Sequence, residues 1–572
     1  MATADRFTID IIQNSLQAIC EEMFAVMQKT AMSAIIYEVL DMGTAIVDAD
    51  GNLACAGAGI PLFIAGLDKC VCFIKEKCAQ EGIEIKEGDI FVTNDPYYGG
   101  ITHLNDVIFS MPVFVDGEIV AWTSDIAHWN DVGGMVPGSM ATTATEIFQE
   151  GLRLPAVKIV EAGQPNLSLI QTIGVNSRMP DYQQGDMWAG ISAVRIGARR
   201  IQEVVRKYSA PVFRDALRDF LDYGEQVTLK ALKSLPKGTF HHIEEQDSGL
   251  KYSCTITITD EKFIVDLSDN PHDPGPNNLS REAALLSAQL LVKTISDDSP
   301  VCNGGNFRPI EFITKKNTVF DAAPPSPQGY YYETVVQLYD LLWRCLAKHM
   351  PTLLPAGHYG SMCATVVGGT HPDTGRGYTI VEPQLGGWGG YKGGDGSSAV
   401  FTCFHGLTYN CPVEINEARN GIVVDSVMLN DDAGGEGEFR GGRGAKITYR
   451  LRAENAFLNF CFRRSKFAPW PLEGGMPGTP NYVEIVSEDG NVERLSTASG
   501  RSINKGERIR LVTGNGGGYG DPSRRPREKI LDDIRNGYIT IERAHEVYGF
   551  ASEESARKEI AAPALEAERT SK

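Results

Sequence analysis

The sequence predicts an α+β protein of mixed, multi-domain architecture. A helix-rich N-terminal part carries a hairpin with metal-ligand side chains, and a β-rich, glycine-dense C-terminal part follows. Three observations predict it. Apolar residues recur at helical spacing, as in Ile12, Leu16, Ile19, Met23 and Met27 and again in Trp188, Ile191, Val194, Ile201 and Val205. An Asp116-Gly117 pair separates two β-branched and aromatic runs. From residue 238 onward, segments such as Thr255-Ile256-Thr257-Ile258 alternate between turns, and beyond Pro351 glycine becomes dense. The 572 residues exceed what one small core organises. They divide into 1–237, an α+β part with the candidate metal site; 238–525, a β-rich part with helical insertions; and 526–572, a C-terminal helix and tail.

The elements follow in order. Residues 8–31 form the first helix, with Gln13, Glu21 and Gln28 off its apolar stripe. Tyr37 to Asp48 is a loop into a strand, turned back at Asp50-Gly51, and Asp41 stands near the start of that strand. It is there as a capping or turn residue, or as a ligand. A second helix covers 65–80 and ends at Glu81-Gly82; a short strand covers 89–93. After the hairpin, Gly133-Gly134 and Pro137-Gly138-Ser139 make a loop, and Thr145 caps a short helix at Glu146-Ile147-Phe148. Helices are predicted over Asp186 to Lys207, 211–234, Arg281 to Asp297 and Tyr332 to His349, with strands at Phe263 to Leu267 and Pro309 to Ile313. The glycine groups near 386–396, 434–444 and 516–520 share no period and lack the strand–Gly-x-Gly-x-x-Gly–helix context of a nucleotide loop. They read as tight turns with close backbone packing. Arg525 to about Tyr548 reads as helix, and the last twenty residues as a frayed polar tail.

The net charge of −19 and the pI of about 5.1 argue against a nucleic-acid partner and an anionic membrane. No apolar run is long enough for a transmembrane helix, and the start, Met-Ala-Thr-Ala-Asp-Arg, lacks a secretory pattern, so a cytoplasmic location is expected. The 12 cysteines are scattered without a Cys-x-x-Cys, which predicts reduced, buried thiols.

The candidate chemistry sits on the hairpin. If Asp116 and Gly117 form a two-residue turn, Val115 pairs with Glu118 and His128 lies opposite Asn105. His103 is then the diagonal neighbour of His128 on one face. Asp106 points to the other face of a regular strand, and joins them only if the strand starts after it or carries a bulge. Imidazole and carboxylate donors suit Zn, Mn or Fe, and His-x-x-Asp plus a distant His leaves an open coordination position. The plain alternative is a pair of partly buried histidines hydrogen-bonded at strand ends.

Around these positions the residues carry more than spacing. Asn94-Asp95-Pro96-Tyr97 through Gly100, Thr102-His103-Leu104 and Asp106, then His128 with Asp131-Val132-Gly133-Gly134 and Pro137-Gly138-Ser139, resemble the hydantoinase B/oxoprolinase family. So do Thr145-Glu146-Ile147, Gln149-Glu150-Gly151-Leu152, Asn176 with Arg178 and Pro180, Phe439-Arg440-Gly441-Gly442 and Gly517-Gly518-Tyr519-Gly520-Asp521-Pro522. The resemblance implies a B-type subunit that works with an A-type ATP-binding subunit of actin/sugar-kinase-like fold, in a higher hetero-oligomer acting on a small molecule. ATP is consumed by the partner, which phosphorylates the substrate, and the B-type chain carries the divalent metal. By that resemblance His103, Asp106 and His128 are ligands and Asp41 the fourth.

Two chemistries share the family. Hydantoinases, oxoprolinases and lactamases open a cyclic amide; acetone and acetophenone carboxylases add bicarbonate-derived CO2 to a ketone. This sequence has Glu38-Val39-Leu40-Asp41-Met42-Gly43 where the hydrolases tend to have Glu-Arg-Arg-Asp-Phe-Ser, and Trp129 where they tend to have a second His. An apolar Trp129 wall in place of a candidate base leans the reading toward an ATP-dependent ketone carboxylase (a ligase). A cyclic amidohydrolase and a non-catalytic assembly subunit are the rivals. Glu146, Glu150, Arg153, Asn176, Arg178, Asp186, His358, His405, Glu414 and Arg440 read more readily as structural and stand outside the catalytic set.

Overall fold

The apolar stripe of the first helix, α1 (Arg6–Thr30), is buried at Ile12, Leu16, Ile19, Met23 and Met27, and the Asp5 side chain caps it by accepting from Thr8 N at 3.0 Å. The computed structural model describes residues 5–296 and 302–550. A one-turn helix, α2 (Ala34–Tyr37), follows, and Leu40 at φ 62° swings the chain into β1 (Met42–Asp48). β2 (Leu53–Gly59), α3 (Pro61–Ile64) and α4 (Leu67–Glu81) complete the first stretch, α4 ending on Gly82 at φ 67°.

Next come β3 (Ile90–Thr93), β4 (Asp106–Val115), β5 (Glu118–His128), β6 (Val157–Glu161) and β7 (Gln164–Pro165). With β1 and β2 they form a seven-stranded antiparallel sheet ordered β2-β1-β5-β4-β3-β6-β7. α5 (Leu167–Val175), α6 (Pro180–Tyr208) and α7 (Ala210–Ser234) follow. α1 and α6 cover one face of this sheet. The approach there is so close that a Cβ on Gly190 of α6 would lie 2.6 Å from the Phe109 ring. α3 and α4 cover the opposite face, where Cys70 Sγ meets Ser110 Oγ at 3.9 Å.

The hairpin corrects the predicted register. Asp116 and Gly117 are both left-handed, at φ 53° and 84°, and Val115 pairs with Glu118 as expected. Phe114 then faces Ile119 but Val113 faces Ala121, so Val120 is an extra residue in β5. Beyond this bulge His128 lies opposite Asp106, not Asn105. A one-residue slip exchanges faces, and it brings Asp106 onto the face of His128.

The second half contains three sheets. β8 (Gly238–Glu245), β9 (Lys251–Ile258), β10 (Phe263–Asp266) and β11 (Ile310–Ile313) are ordered β11-β10-β9-β8, with α8 (Arg281–Ser296) inserted before β11 and α9 (Tyr331–Ala347) after it. β12 (Thr365–Thr370), β13 (Gly377–Glu382), α10 (Val413–Arg419), β14 (Ile422–Leu429), β15 (Ala445–Leu451) and β16 (Ala456–Cys461) come next. β17 (Tyr482–Val486), β18 (Val492–Leu495), β19 (Thr497–Ile503) and β20 (Arg508–Val512) close the β region. They pair as β13-β12-β16-β19 and β14-β15-β20-β17-β18. One contiguous apolar core runs from Ile12 to Tyr519, and a second fills the C-terminal sheets around Tyr359, Leu458 and Leu511.

The glycine groups stack backbone on backbone, as read from the sequence. Gly387 N donates to Gly514 O at 3.0 Å, Gly516 N to Gly442 O at 3.0 Å and Gly390 N to Gly517 O at 2.8 Å. A Cβ on Gly516 would lie 2.1 Å from Trp388 O. These N–H groups are spent on protein carbonyls rather than gathered around an open cradle.

Smaller expectations shift. Glu146, not Thr145, caps the 3-10 turn Ile147–Gln149, because Gln149 reaches back to the Glu146 and Thr145 amides at 3.2 and 2.6 Å. α6 starts at Pro180 instead of Asp186, with proline in its first turn. The C-terminal helix is two, α11 (Arg527–Arg535) and α12 (Ile541–Tyr548), separated at Gly537 with φ 73°. The expected frayed tail, and the Asp297 end of the helix from Arg281, lie outside the described residues.

Candidate metal centre

Each side chain of the cluster is placed by a different device. Asp106 opens β4 and His128 ends β5, so they face each other as a cross-strand pair. His103 lies in the loop before β4. Asn94 pins that loop: its amide donates to Leu104 O at 2.7 Å and Leu152 O at 2.9 Å, and its carbonyl accepts from Leu154 N at 2.7 Å. Asp95 next to it pairs with Arg153. Asp131 gathers the following loop, accepting from Gly133 N, Gly138 N and Arg178 at 2.9–3.0 Å. Much of the sequence pattern around the histidines is therefore scaffolding for two loops.

His103 is oriented from a distance of 226 residues. Its Nδ1 lies 3.0 Å from Gly329 O, and a carbonyl can only accept. Nδ1 therefore holds the proton and Nε2 turns toward the cluster. Glu150 fixes that carbonyl by accepting from Gly329 N at 2.6 Å and Gln328 N at 3.0 Å. Burial pushes the Glu150 carboxyl up to about 7. At the opposite end Tyr331, the first residue of α9, donates its hydroxyl to Asp106 Oδ2 at 2.8 Å.

His103 Nε2, His128 Nδ1 and Asp106 Oδ1 form a triangle with sides of 3.2, 3.2 and 3.3 Å. Exposures are 3%, 3% and 1% for His103, His128 and Asp106. Three atoms so spaced can each sit about 2.0–2.1 Å from one point, the reach of a transition-metal bond. The electrostatics ask for positive charge there. Burial alone raises the Asp106 carboxyl, but the two imidazoles more than reverse it and hold it well below the carboxylate range. Burial lowers His103, and the Asp106 carboxylate outweighs that and draws it up; burial dominates at His128 and lowers it. His128 Nε2 is buried with no protein partner among the described residues. One carboxylate oxygen and two imidazole nitrogens aimed at a common point fit a divalent cation of the Zn, Mn or Fe type.

The triangle forms one wall of a small cavity of about 50 Å³. Ile60, Leu62, Phe63, Met140, Met362 and Val381 supply most of the rest, with Tyr331, Tyr332 and His405 among them. Asp41 lines the same cavity but stands outside the triangle. Its backbone carbonyl accepts from His128 N at 3.0 Å, and burial, then the Asp106 carboxylate, push its carboxyl well up. The structure thus gathers His103, Asp106 and His128 tightly and leaves Asp41, beside His128 just ahead of the neighbouring strand β1, outside that group.

Two readings change. Trp129 does not wall the cavity. It follows His128 on the opposite, α6-covered face, and its ring packs on Phe109 at 6.3 Å between centroids. Glu150, set aside as structural, positions His103 through the Gly329 carbonyl. Tyr331 went unread. Its only signal is an aromatic run, Tyr330-Tyr331-Tyr332, at a helix start, which spacing cannot connect to residue 106.

The sequence matches the model of the hydantoinase B/oxoprolinase family over residues 5–522. It is 29% identical over 567 residues to the B chain of a putative D-/L-hydantoinase of Pseudomonas sp. strain NS671, covering 95% of each chain. It is 25% identical to the acetophenone carboxylase delta subunit of Aromatoleum aromaticum, covering 89% of this chain and 81% of that one. The fold superposes on the crystal structure of the ATP-dependent caprolactamase from Pseudomonas jessenii with a TM-score of 0.90 at 26% identity, covering 98% of this chain and 100% of the other. The family match takes in the pinned loops, the bulged hairpin and α9 alike: this chain belongs to the hydantoinase B/oxoprolinase family.

Proposed function

We propose that this chain is the metal-bearing B-type subunit of an ATP-dependent complex that opens a cyclic amide such as a hydantoin, 5-oxoproline or a lactam. An A-type subunit would bind ATP and activate the substrate. The observation that carries the reading is the triangle of His103, Asp106 and His128 donor atoms facing a small, mostly apolar cavity. These three residues would hold the cation, with Asp41, which lines the same cavity, as a further ligand. A bound cation supplies Lewis acidity toward the oxygen of the reacting carbonyl. Gly329 and Tyr331 hold His103 and Asp106 in place. Leu62, Phe63 and Met140 give the reacting atoms an apolar wall.

Amide opening is preferred over ketone carboxylation for two reasons. The Trp129 ring, which favoured carboxylation as a cavity wall, turns to the other face of the sheet. The relatives named for cyclic amides, the hydantoinase chain and the beta subunit of the caprolactamase, are 29% and 27% identical over nearly the full length of both chains. Ketone carboxylation is the second reading, supported by the apolar cavity lining and by the likeness to the acetophenone carboxylase delta subunit. The test is to incubate the assembled complex with ATP, with hydantoin, 5-oxoproline or caprolactam in one arm and acetone or acetophenone plus labelled bicarbonate in the other. Ring opening without bicarbonate is expected. Label entering an acid product from a ketone overturns amide opening in favour of carboxylation. Full activity from a complex that carries no metal removes the metal reading altogether.

A further inference from the structure

We propose that His405 is a catalytic residue of this site: a hydrogen-bond donor, through Nε2–H, to the substrate atom that gains negative charge facing the three-ligand cluster. The inference rests on the proposed metal-dependent carbonyl chemistry and adds a residue to it.

His405 lies 277 residues beyond His128 in sequence, yet lines the same cavity and is only 3% exposed. The loop that carries it is clamped. His405 N donates to Thr402 O at 3.1 Å, and the Thr408 amide and hydroxyl donate to His405 O at 3.1 and 2.8 Å. Tyr409 N donates to Val39 O at 3.1 Å, two residues before Asp41. Gly406, at φ 54°, packs so closely on the turn between β2 and α3 that a Cβ would lie 2.6 Å from the Pro61 ring. The imidazole is thus fixed against the same corner that supplies Leu62 and Phe63 to the cavity.

Its tautomer follows from its neighbour. Thr402 is 2% exposed, and its hydroxyl lies 2.8 Å from His405 Nδ1, its only hydrogen-bond partner among the described residues. A buried hydroxyl proton with no other acceptor is costly, so we assign the hydroxyl as donor and Nδ1 as acceptor. That leaves the ring proton on Nε2, which has no hydrogen-bond partner among the described residues, on a residue that lines the cavity. Burial also pushes the His405 pKa down to about 3, so the ring stays neutral in the working pH range. A neutral, fixed donor on the wall of a mostly apolar cavity stabilises developing charge without competing for the cation.

The test uses the full chain loaded with Co2+ and titrated with azide, a probe small enough for the cavity, alongside turnover by the assembled complex. His405→Ala, His405→Gln and Thr402→Val are compared with wild type. Cobalt stoichiometry should be unchanged in all three. Azide affinity should fall about tenfold in His405→Ala and largely recover in His405→Gln, which restores an N–H donor. The kcat of His405→Ala should fall about 100-fold, with KM nearly unchanged. If His405→Ala does not fold, Thr402→Val carries the test, since losing the hydroxyl frees the ring to flip its proton and should weaken azide by a smaller factor. Equal azide affinity in wild type and folded variants, with cobalt in place, overturns this inference and leaves the metal reading intact. A wild-type chain that takes up no cobalt overturns both.

Discussion

Asp106 and Asp340 are both carboxylates only 1% exposed, and the same helix serves both: α9 touches Asp106 with its first residue and carries Asp340 two turns later. Their surroundings differ in kind. Asp340 accepts from the Arg464 guanidinium and, at 3.0 Å, from Trp470 Nε1. Arg464 also reaches Glu244, and Arg344 joins Glu244 at 2.8 Å. Two carboxylates meet two guanidiniums, whose charge is permanent and whose donors point outward at acceptors. Asp106 has two imidazoles and a tyrosine hydroxyl, with a second carboxylate, Asp41, lining the same cavity. None of these is a fixed cation, and their acceptor atoms converge. The Asp340 cluster carries its own counter-charge; the Asp106 cluster directs lone pairs at a shared point, an arrangement the proposed cation would complete.

Breaking the convergent cluster should give the largest effect. His128→Ala removes one of the three proposed ligand atoms while its neighbours stay packed. Changes outside the ligand shell typically cost about 10–100-fold in metal affinity, so removing a ligand should cost more than about 100-fold. Elemental analysis of the purified variant checks this, and stoichiometric metal equal to wild type would place the site elsewhere. Breaking the matched cluster should do the opposite. Asp340→Ala leaves two guanidiniums, Arg464 and Arg344, on the single Glu244 carboxylate and should cost about 3–5 kcal/mol of stability, with metal content unchanged. Denaturant unfolding and elemental analysis read the two halves of that prediction.

The matched cluster also has a pH signature. Burial alone raises the Asp340 carboxyl, and the Arg464 guanidinium more than reverses this, leaving it below the ordinary aspartate value. A depressed folded pKa means stabilisation that is complete above the unfolded value of about 3.9 and lost as pH falls below it. Asp340→Ala should therefore flatten the acid limb of the stability profile. An acid limb as steep as that of wild type would mean that another carboxylate carries it. Next in size is Tyr331→Phe, which deletes one hydrogen bond to Asp106 and keeps the ring. Metal affinity should drop about tenfold with the fold intact. Unchanged affinity would make the hydroxyl a packing feature and nothing more.

How much of this was legible follows the range of the forces involved. The turn at Asp116-Gly117 was readable because left-handed backbone is a property of two adjacent residues. The bulge at Val120 was not, because valine suits a regular strand equally well and the slip is set by packing on both faces of the sheet. His103 and His128 could be paired by counting, and Asp106 only on the condition of a bulge. Asp41 came from resemblance, since nothing local marks a residue placed by a left-handed leucine before it. The partners of His103 and Asp106, at 329 and 331, lie more than 220 residues away, and no periodicity spans that distance. The glycine groups were read correctly as close backbone packing because losing a side chain has few other uses in a strand-rich region.

The smallest expected effect at the metal is also the sharpest test of the register. Read from sequence, position 129 is beside a ligand and should matter to it. Read from the bulged hairpin, His128 and Trp129 point to opposite faces, and the Trp129 ring belongs to the contact between Phe109 and α6. Trp129→His should therefore lower stability, by about 3 kcal/mol on the scale of large-to-small core changes, without reaching the site. The visible spectrum of the Co2+-loaded variant should overlay that of wild type. A new imidazole band in that spectrum would mean that residue 129 shares the face of His128. The bulge at Val120 would then be absent, and the alignment of Asp106 with the two histidines would fall with it.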